Sequence, residues 1–158
     1  MRFWFHWFSF FATLLGCFPA SAAEIGAGVQ LKILIPNNLP DFRTSVPVYG
    51  PEISLTWKPH GVQVQAAYGS SDGVTAYLGE MSYRYQIETP FFNFFLSSGL
   101  HFLYYAPVGA PDQRMLGAHF GPGLVLRFGD SLIVPLQARL MFQKQSIISV
   151  GGGLVFIL

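Results

Sequence analysis

From Glu24 to Leu158 the chain alternates apolar and polar positions with a period of two, in eight runs, the pattern of half-buried strands rather than helices. In the first run, Glu24 to Ile33, Ile25, Ala27, Val29, Leu31 and Ile33 share one face. Glu24, Gln30 and Lys32, with two glycines, share the other. The second run sets Ile53, Leu55 and Trp57 against Glu52, Ser54, Thr56 and Lys58, and the third sets Val62, Val64 and Tyr68 against Gln63 and Gln65. The fourth, Thr75 to Glu88, carries the clearest repeat: Tyr77, Met81, Tyr83, Tyr85 and Ile87 alternate with Glu80, Ser82, Arg84, Gln86 and Glu88. Runs five to eight cover about Phe94 to Tyr105, Met115 to Phe128, Leu132 to Phe142 and Ile147 to Leu158. Their less apolar face carries His101, His119, Arg127, Gln137, Arg139 and Ser149. These lengths lie near the roughly 9 to 11 residues a tilted strand needs to cross hydrocarbon.

The first 23 residues break this pattern. One charge, Arg2, precedes an apolar run rich in aromatics (Phe3, Trp4, Phe8, Phe11, Leu14, Leu15), which ends at Pro19 and the small residues Ala20-Ser21-Ala22-Ala23. Residues 1–23 are therefore expected to be a secretory signal peptide, cleaved after Ala22 or Ala23, leaving one domain at 24–158. A membrane anchor is the alternative, but the run is shorter than the roughly 20 residues a spanning helix needs. Cys17, the only cysteine, follows Leu14-Leu15-Gly16 in a loose likeness of a lipoprotein box. Its plainer fate is removal with the leader, which leaves no disulfide and no thiol nucleophile.

Composition sharpens the picture: the chain is 51% hydrophobic, 16% aromatic and 11% charged, against roughly 25% charged residues in soluble domains. Without Arg2 the charges balance at eight basic and eight acidic, giving no electrostatic reason to expect nucleic acid. Their placement decides which face points inward. Nine (Glu24, Lys32, Glu52, Lys58, Glu80, Arg84, Glu88, Arg127, Arg139) fall on the polar face, seven (Asp41, Arg43, Asp72, Asp112, Arg114, Asp130, Lys144) fall in connections, and none falls on the apolar face. A soluble barrel with its apolar face inward would crowd Phe, Tyr and Trp into a narrow lumen. The reverse arrangement, apolar face to lipid and polar side chains filling the interior, avoids the roughly 2 to 4 kcal/mol cost of a basic side chain at mid-depth in lipid.

Aromatics on the apolar face sort into two girdles: Trp57, Tyr85, Phe94, Phe128 and Phe156 at one end, and Tyr49, Tyr68, Tyr77, Tyr104 and Phe142 at the other. Connections after runs two, four and six are short, while Leu34 to Gly50 and Ala106 to Arg114 are long. Backbone in hydrocarbon must be fully paired, so eight strands are expected to close on themselves, with both termini periplasmic. Over Glu24 to Leu158 this layout resembles the small OmpA/OmpX-type outer-membrane barrels. The last run, Val150-Gly151-Gly152-Gly153-Leu154-Val155-Phe156-Ile157-Leu158, is similar to the C-terminal signal that the barrel-assembly machinery reads in that family, although it ends in Leu rather than an aromatic residue. The resemblance implies an all-β, eight-stranded, up-and-down transmembrane barrel in a bacterial outer membrane, in contact with lipids including lipopolysaccharide.

Candidate chemistry is sparse. A symmetric hairpin between runs five and six pairs Tyr105 with Met115 and sets His101 across from His119, with Glu80 or Ser82 alongside. Two histidines and a carboxylate suit a divalent metal or a titrating switch. The plainer expectation is no metal and no cofactor, with these residues joining Glu24, Lys32, Glu52, Lys58, Arg84, Glu88, Arg127 and Arg139 in a polar lumen network. Pro40-Asp41-Phe42-Arg43 and Pro111-Asp112-Gln113-Arg114 share a turn pattern whose Arg43 and Arg114 are candidates for gripping lipid phosphates. Lipid A deacylases on such scaffolds carry a His-x-Ser motif that His60-Gly61-Val62, His101-Phe102-Leu103 and His119-Phe120-Gly121 lack. No enzymatic activity is expected. The pattern favours a structural or surface-interaction barrel, presenting its long loops to an extracellular partner, over a narrow channel opened by inward glycines or a lipid A-modifying enzyme.

Overall fold

The computed structural model describes residues 23–37, 45–89, 93–109, 111–143 and 146–158. Residues 1–22 of the expected signal peptide, Cys17 among them, and Arg43 lie outside them. Eight strands follow one another: β1 (Glu24–Pro36), β2 (Val46–Trp57), β3 (His60–Ser71), β4 (Val74–Glu88), β5 (Asn93–Pro107), β6 (Gln113–Phe128), β7 (Leu132–Phe142) and β8 (Ile147–Ile157). Each pairs antiparallel with its neighbours, and β8 closes on β1 from Gly26↔Ile157 to Pro36↔Ile147. Closure leaves no strand edge unpaired, the condition for backbone in hydrocarbon.

The period-two pattern maps onto the wall. Ile53, Val64, Met81, Leu100, Phe120 and Leu154 are among the apolar side chains exposed on the outside. Lys32, Glu52, Glu80, Arg84, His101, His119 and Arg139 are buried inside. A continuous apolar exterior of this extent is suited to lipid rather than water.

One end of the barrel carries the start of β1, the end of β8 and the connections β2–β3, β4–β5 and β6–β7; the other, the loop end, carries the remaining four connections. Strand boundaries at the loop end differ from the sequence pattern. β1 runs on to Pro36 and β2 begins at Val46, so the expected long loop at 34–50 shrinks to 37–45, and the loop expected at 106–114 shrinks to 108–112. The extra strand holds two prolines: Pro47 and Pro51 sit on the outward face, opposite Ile33 and Val29. On the other side of β2 the ladder to β3 is interrupted between Tyr49 and Glu52, where a proline has no N–H to give.

The interior is side-chain-filled but not polar throughout. At the loop end Leu34, Val46, Val48, Ala76, Leu78, Leu103, Tyr105, Met115, Met141 and Ile147 form a buried apolar cluster. A polar layer of Gln30, Lys32, Glu52, Gln63, Gln65, Glu80, Arg84, His119, Gln137 and Arg139 occupies the middle. Phe95 and Val155 lie buried on its other side. Several of the apolar residues belong to the stretches assigned to loops, so their inward parity does not register in the sequence pattern; Ala76 and Leu78 simply continue the inward face of β4.

Inward glycines make room for particular side chains. A Cβ on Gly123 would lie 2.0 Å from Cζ of Phe95, its partner across β5–β6, so that ring fills the glycine's place. A Cβ on Gly151 or Gly153 would first meet a backbone carbonyl, of Leu31 at 2.3 Å or Val29 at 2.6 Å, and then the side chain of Lys32 or Gln30. No water-filled passage is needed to explain them.

Candidate functional site

The middle layer is organised around Glu80 on β4. Lys32 reaches it from β1, and Arg139 Nη1 donates to the same Oε2 from β7 at 3.0 Å. Arg139 Nη2 donates to Gln63 Oε1, also at 3.0 Å. Arg84, four residues along β4, pairs with Glu52 at 3.3 Å, and its guanidinium stacks on the Phe95 ring at 4.8 Å. Gln137 Nε2 donates to Gln30 Oε1 across the β7–β1 gap at 2.6 Å. These contacts link β1, β2, β3, β4, β5 and β7 across the lumen.

Other expected lumen residues lie elsewhere. Arg127 and Glu24 pair at 2.7 Å, and Lys58 and Glu88 at 2.6 Å, all partly or well exposed at the end opposite the loop end. Hydrogen bonding to Lys58 first, and its charge second, hold the Glu88 carboxyl below its ordinary range.

The two histidines do not face each other as the symmetric hairpin predicts. Tyr105 pairs with Gln113 rather than Met115, which shifts β6 by two residues and sets His101 opposite Gly117 and Gly99 opposite His119. The imidazoles meet on the diagonal, with ring centroids 5.8 Å apart. Glu80 does pair with His101 across β4–β5, as expected. Its Oε2, however, is engaged by Lys32 and Arg139, and among the described residues no group of three His, Cys, Asp or Glu side chains is arranged to hold a metal.

Each histidine has another partner. His101 Nε2 donates to Gln143 Oε1 at 3.1 Å, and His119 Nε2 lies 2.9 Å from Ser82 Oγ. The Ser82–His119 pair has the spacing of a nucleophile and its base. It lacks the other parts: His119 Nδ1 has no hydrogen-bond partner, and both side chains are buried beneath the apolar layer.

On the outside, Tyr49, Tyr68, Tyr77 and Tyr104 stand side by side across β2 to β5, each directly opposite the next. Arg114 continues the row. It belongs to β6 rather than to a loop, faces outward and lies 6.0 Å from the Tyr104 ring centroid, so one charge does sit on the apolar face, at its loop-end margin. The Tyr104 hydroxyl donates to Asp112 at 2.5 Å. At the opposite margin His60 Nδ1 lies 2.5 Å from the Tyr83 hydroxyl, and its ring packs near Trp57 and Tyr85. Pro59 and Gly61 mark His60 as a turn residue in the sequence, whereas it opens β3; the parity of Val62 and Val64 is the signal that places it outward.

No family model and no curated protein sequence matches the chain. Solved structures do. Neisserial surface protein A superposes with a TM-score of 0.62 at 12% identity, over 86% of this chain and 97% of that one. The N-terminal β-barrel domain of Pseudomonas aeruginosa OprF gives 0.65 at 17%, over 87% and 100%. This chain has the fold of the small outer-membrane barrels. Pseudomonas aeruginosa OprG, an outer-membrane protein, adds a TM-score of 0.58 at 9% identity, over 86% and 93%. Identities this low speak to architecture and not to activity.

Proposed function

We propose that this chain is an integral protein of the bacterial outer membrane, with both termini periplasmic, whose role is structural or interactive rather than conductive or enzymatic. The observation that carries this reading is the double filling of the lumen. An apolar cluster occupies its loop end and a cross-linked ionic layer its middle, so an ion would have to displace both. The apolar exterior and the shared fold support the location. The two turns at the terminal end that are fully described, 58–59 and 129–131, are short, which suits the periplasmic side.

At the loop end the Tyr49–Tyr68–Tyr77–Tyr104 row with Arg114 forms an amphipathic margin suited to the outer headgroup region, where Arg114 would meet lipid phosphates, including those of lipopolysaccharide. Segments 37–45 and 108–112 remain the surfaces for an extracellular partner.

Planar-bilayer recording tests the central claim. The purified barrel is expected to give no steady unitary current, and reproducible conductance steps would overturn it. A lipid A mass spectrum shifted by one acyl chain when the protein is expressed would overturn the non-enzymatic reading.

A further inference from the structure

The middle layer does not balance its own charge. Five side chains with a formal charge lie there, 0 to 5% exposed: the bases Lys32, Arg84 and Arg139, and the acids Glu52 and Glu80. Three positive charges therefore face two negative ones, and protonation of His101 or His119 would only add to the surplus. The layer is shut off from water by the apolar cluster on one side and by Phe95 and Val155 on the other. An uncompensated ion in such surroundings is strongly disfavoured.

The pairing locates the surplus. Arg84 and Glu52 are matched one to one, whereas Glu80 alone serves both Lys32 and Arg139, through a single oxygen. Arg139 spends its second Nη on the neutral oxygen of Gln63, and its Nε has no acceptor. The Gln63 amide touching that guanidinium has an unpartnered Nε2, and Gln65, next but one on β3, has an unpartnered Nε2 as well. Flipping either amide exchanges a donor for an acceptor but leaves the charge unchanged. A water molecule would satisfy these donors and also leave the charge unchanged. An anion does both.

We propose that the lumen binds one small monovalent anion of the halide class, held by Arg139 Nε with the amide donors of Gln63 and Gln65. Size follows from enclosure between two filled layers, and a single negative charge follows from the surplus of one. The barrel closes around the ion as it folds.

The full-length barrel, refolded in detergent at constant ionic strength in sodium bromide, sodium chloride or sodium gluconate, tests this. Crystals grown in bromide are expected to show one anomalous peak in contact with Arg139. The folding equilibrium constant is expected to rise about tenfold for each tenfold rise in halide once the site is saturating. Lys32→Met and, separately, Arg139→Gln each remove the surplus charge, so both the peak and the halide dependence are expected to vanish in whichever variant folds. Equal stability in chloride and gluconate with no lumen bromide would overturn the proposal, and so would bromide found only at the surface, an adventitious ion only. A neutral Lys32 amine in the nitrogen NMR spectrum of the wild-type barrel would likewise overturn it, because loss of that proton removes the need for an anion.

Discussion

Glu80 is the residue on which the middle layer turns. It is the only carboxylate that meets two cations, and neither Lys32 nor Arg139 has another charged partner among the described residues. Removing one member of a buried ionic group while leaving the rest costs about 3 to 5 kcal/mol. Glu80→Gln is therefore expected to lower the unfolding free energy by that amount, read from urea titrations in detergent by Trp57 fluorescence. A loss below about 1 kcal/mol would show that the two cations find other compensation. Gly123 is the apolar counterpart. Gly123→Val would drive a side chain into the space the Phe95 ring fills, and its cost is expected to shrink in a Phe95→Ala background, a coupling of roughly 0.5 to 3 kcal/mol in a double-mutant cycle. Additive losses would mean that the ring and the glycine are independent.

The strands show how far a single sequence carries. Parity was legible wherever apolar and polar residues alternated cleanly, as from Tyr77 to Glu88, because a one-residue slip would turn every charge into lipid. It failed where residues carry no polarity contrast. Val46-Pro47-Val48-Tyr49-Gly50-Pro51 looks like a loop because prolines punctuate it, yet Val46 and Val48 point inward. Register across β5–β6 was illegible for a different reason: it depends on the shape of the 108–112 turn, and a symmetric guess lands two residues off. That error alone misplaced the histidine pair and hid the Ser82–His119 contact.

Strand ends also distinguish exposed ion pairs from buried ones. Lys58 and Glu88 meet in open solvent, where such pairs contribute little. Since Glu88 titrates below its ordinary range, its small contribution is present above the unfolded-state range and is lost as pH falls through the lowered folded value. Lys58→Met is accordingly expected to leave the urea midpoint at neutral pH within experimental error, in contrast to Glu80→Gln. A midpoint shift as large as that of Glu80→Gln would refute the distinction.

At the scale of the whole barrel, the charge pattern was enough to turn the sheet inside out relative to a soluble barrel, and the structure agrees on that orientation for every strand. What the pattern could not show is that the lumen is layered, because layering is a property of depth, and depth emerges only when registers are known. The purified protein is expected to migrate differently on gels before and after boiling, as a closed barrel that resists detergent. Identical mobility would argue against closure.

Layering also bears on how the chain enters a membrane. In the proposed orientation the loop-end tips of the hairpins must pass through the hydrocarbon ahead of everything else. Near those tips Leu34, Val46, Val48, Leu78, Leu103, Met115, Met141 and Ile147 are apolar on the face that will later point inward, so that face of the leading strand ends is greasy while it is still unpaired. The charges of the middle layer trail behind, entering after neighbouring strands can satisfy them. The same cluster that stops up the finished barrel thus lowers the toll of translocation, at a few kcal/mol for each unpartnered polar group avoided. A Leu78→Asn, Leu103→Asn variant is expected to insert into preformed vesicles roughly tenfold more slowly or worse, by the appearance of the heat-resistant band, and an unchanged rate would separate the plug from the passage.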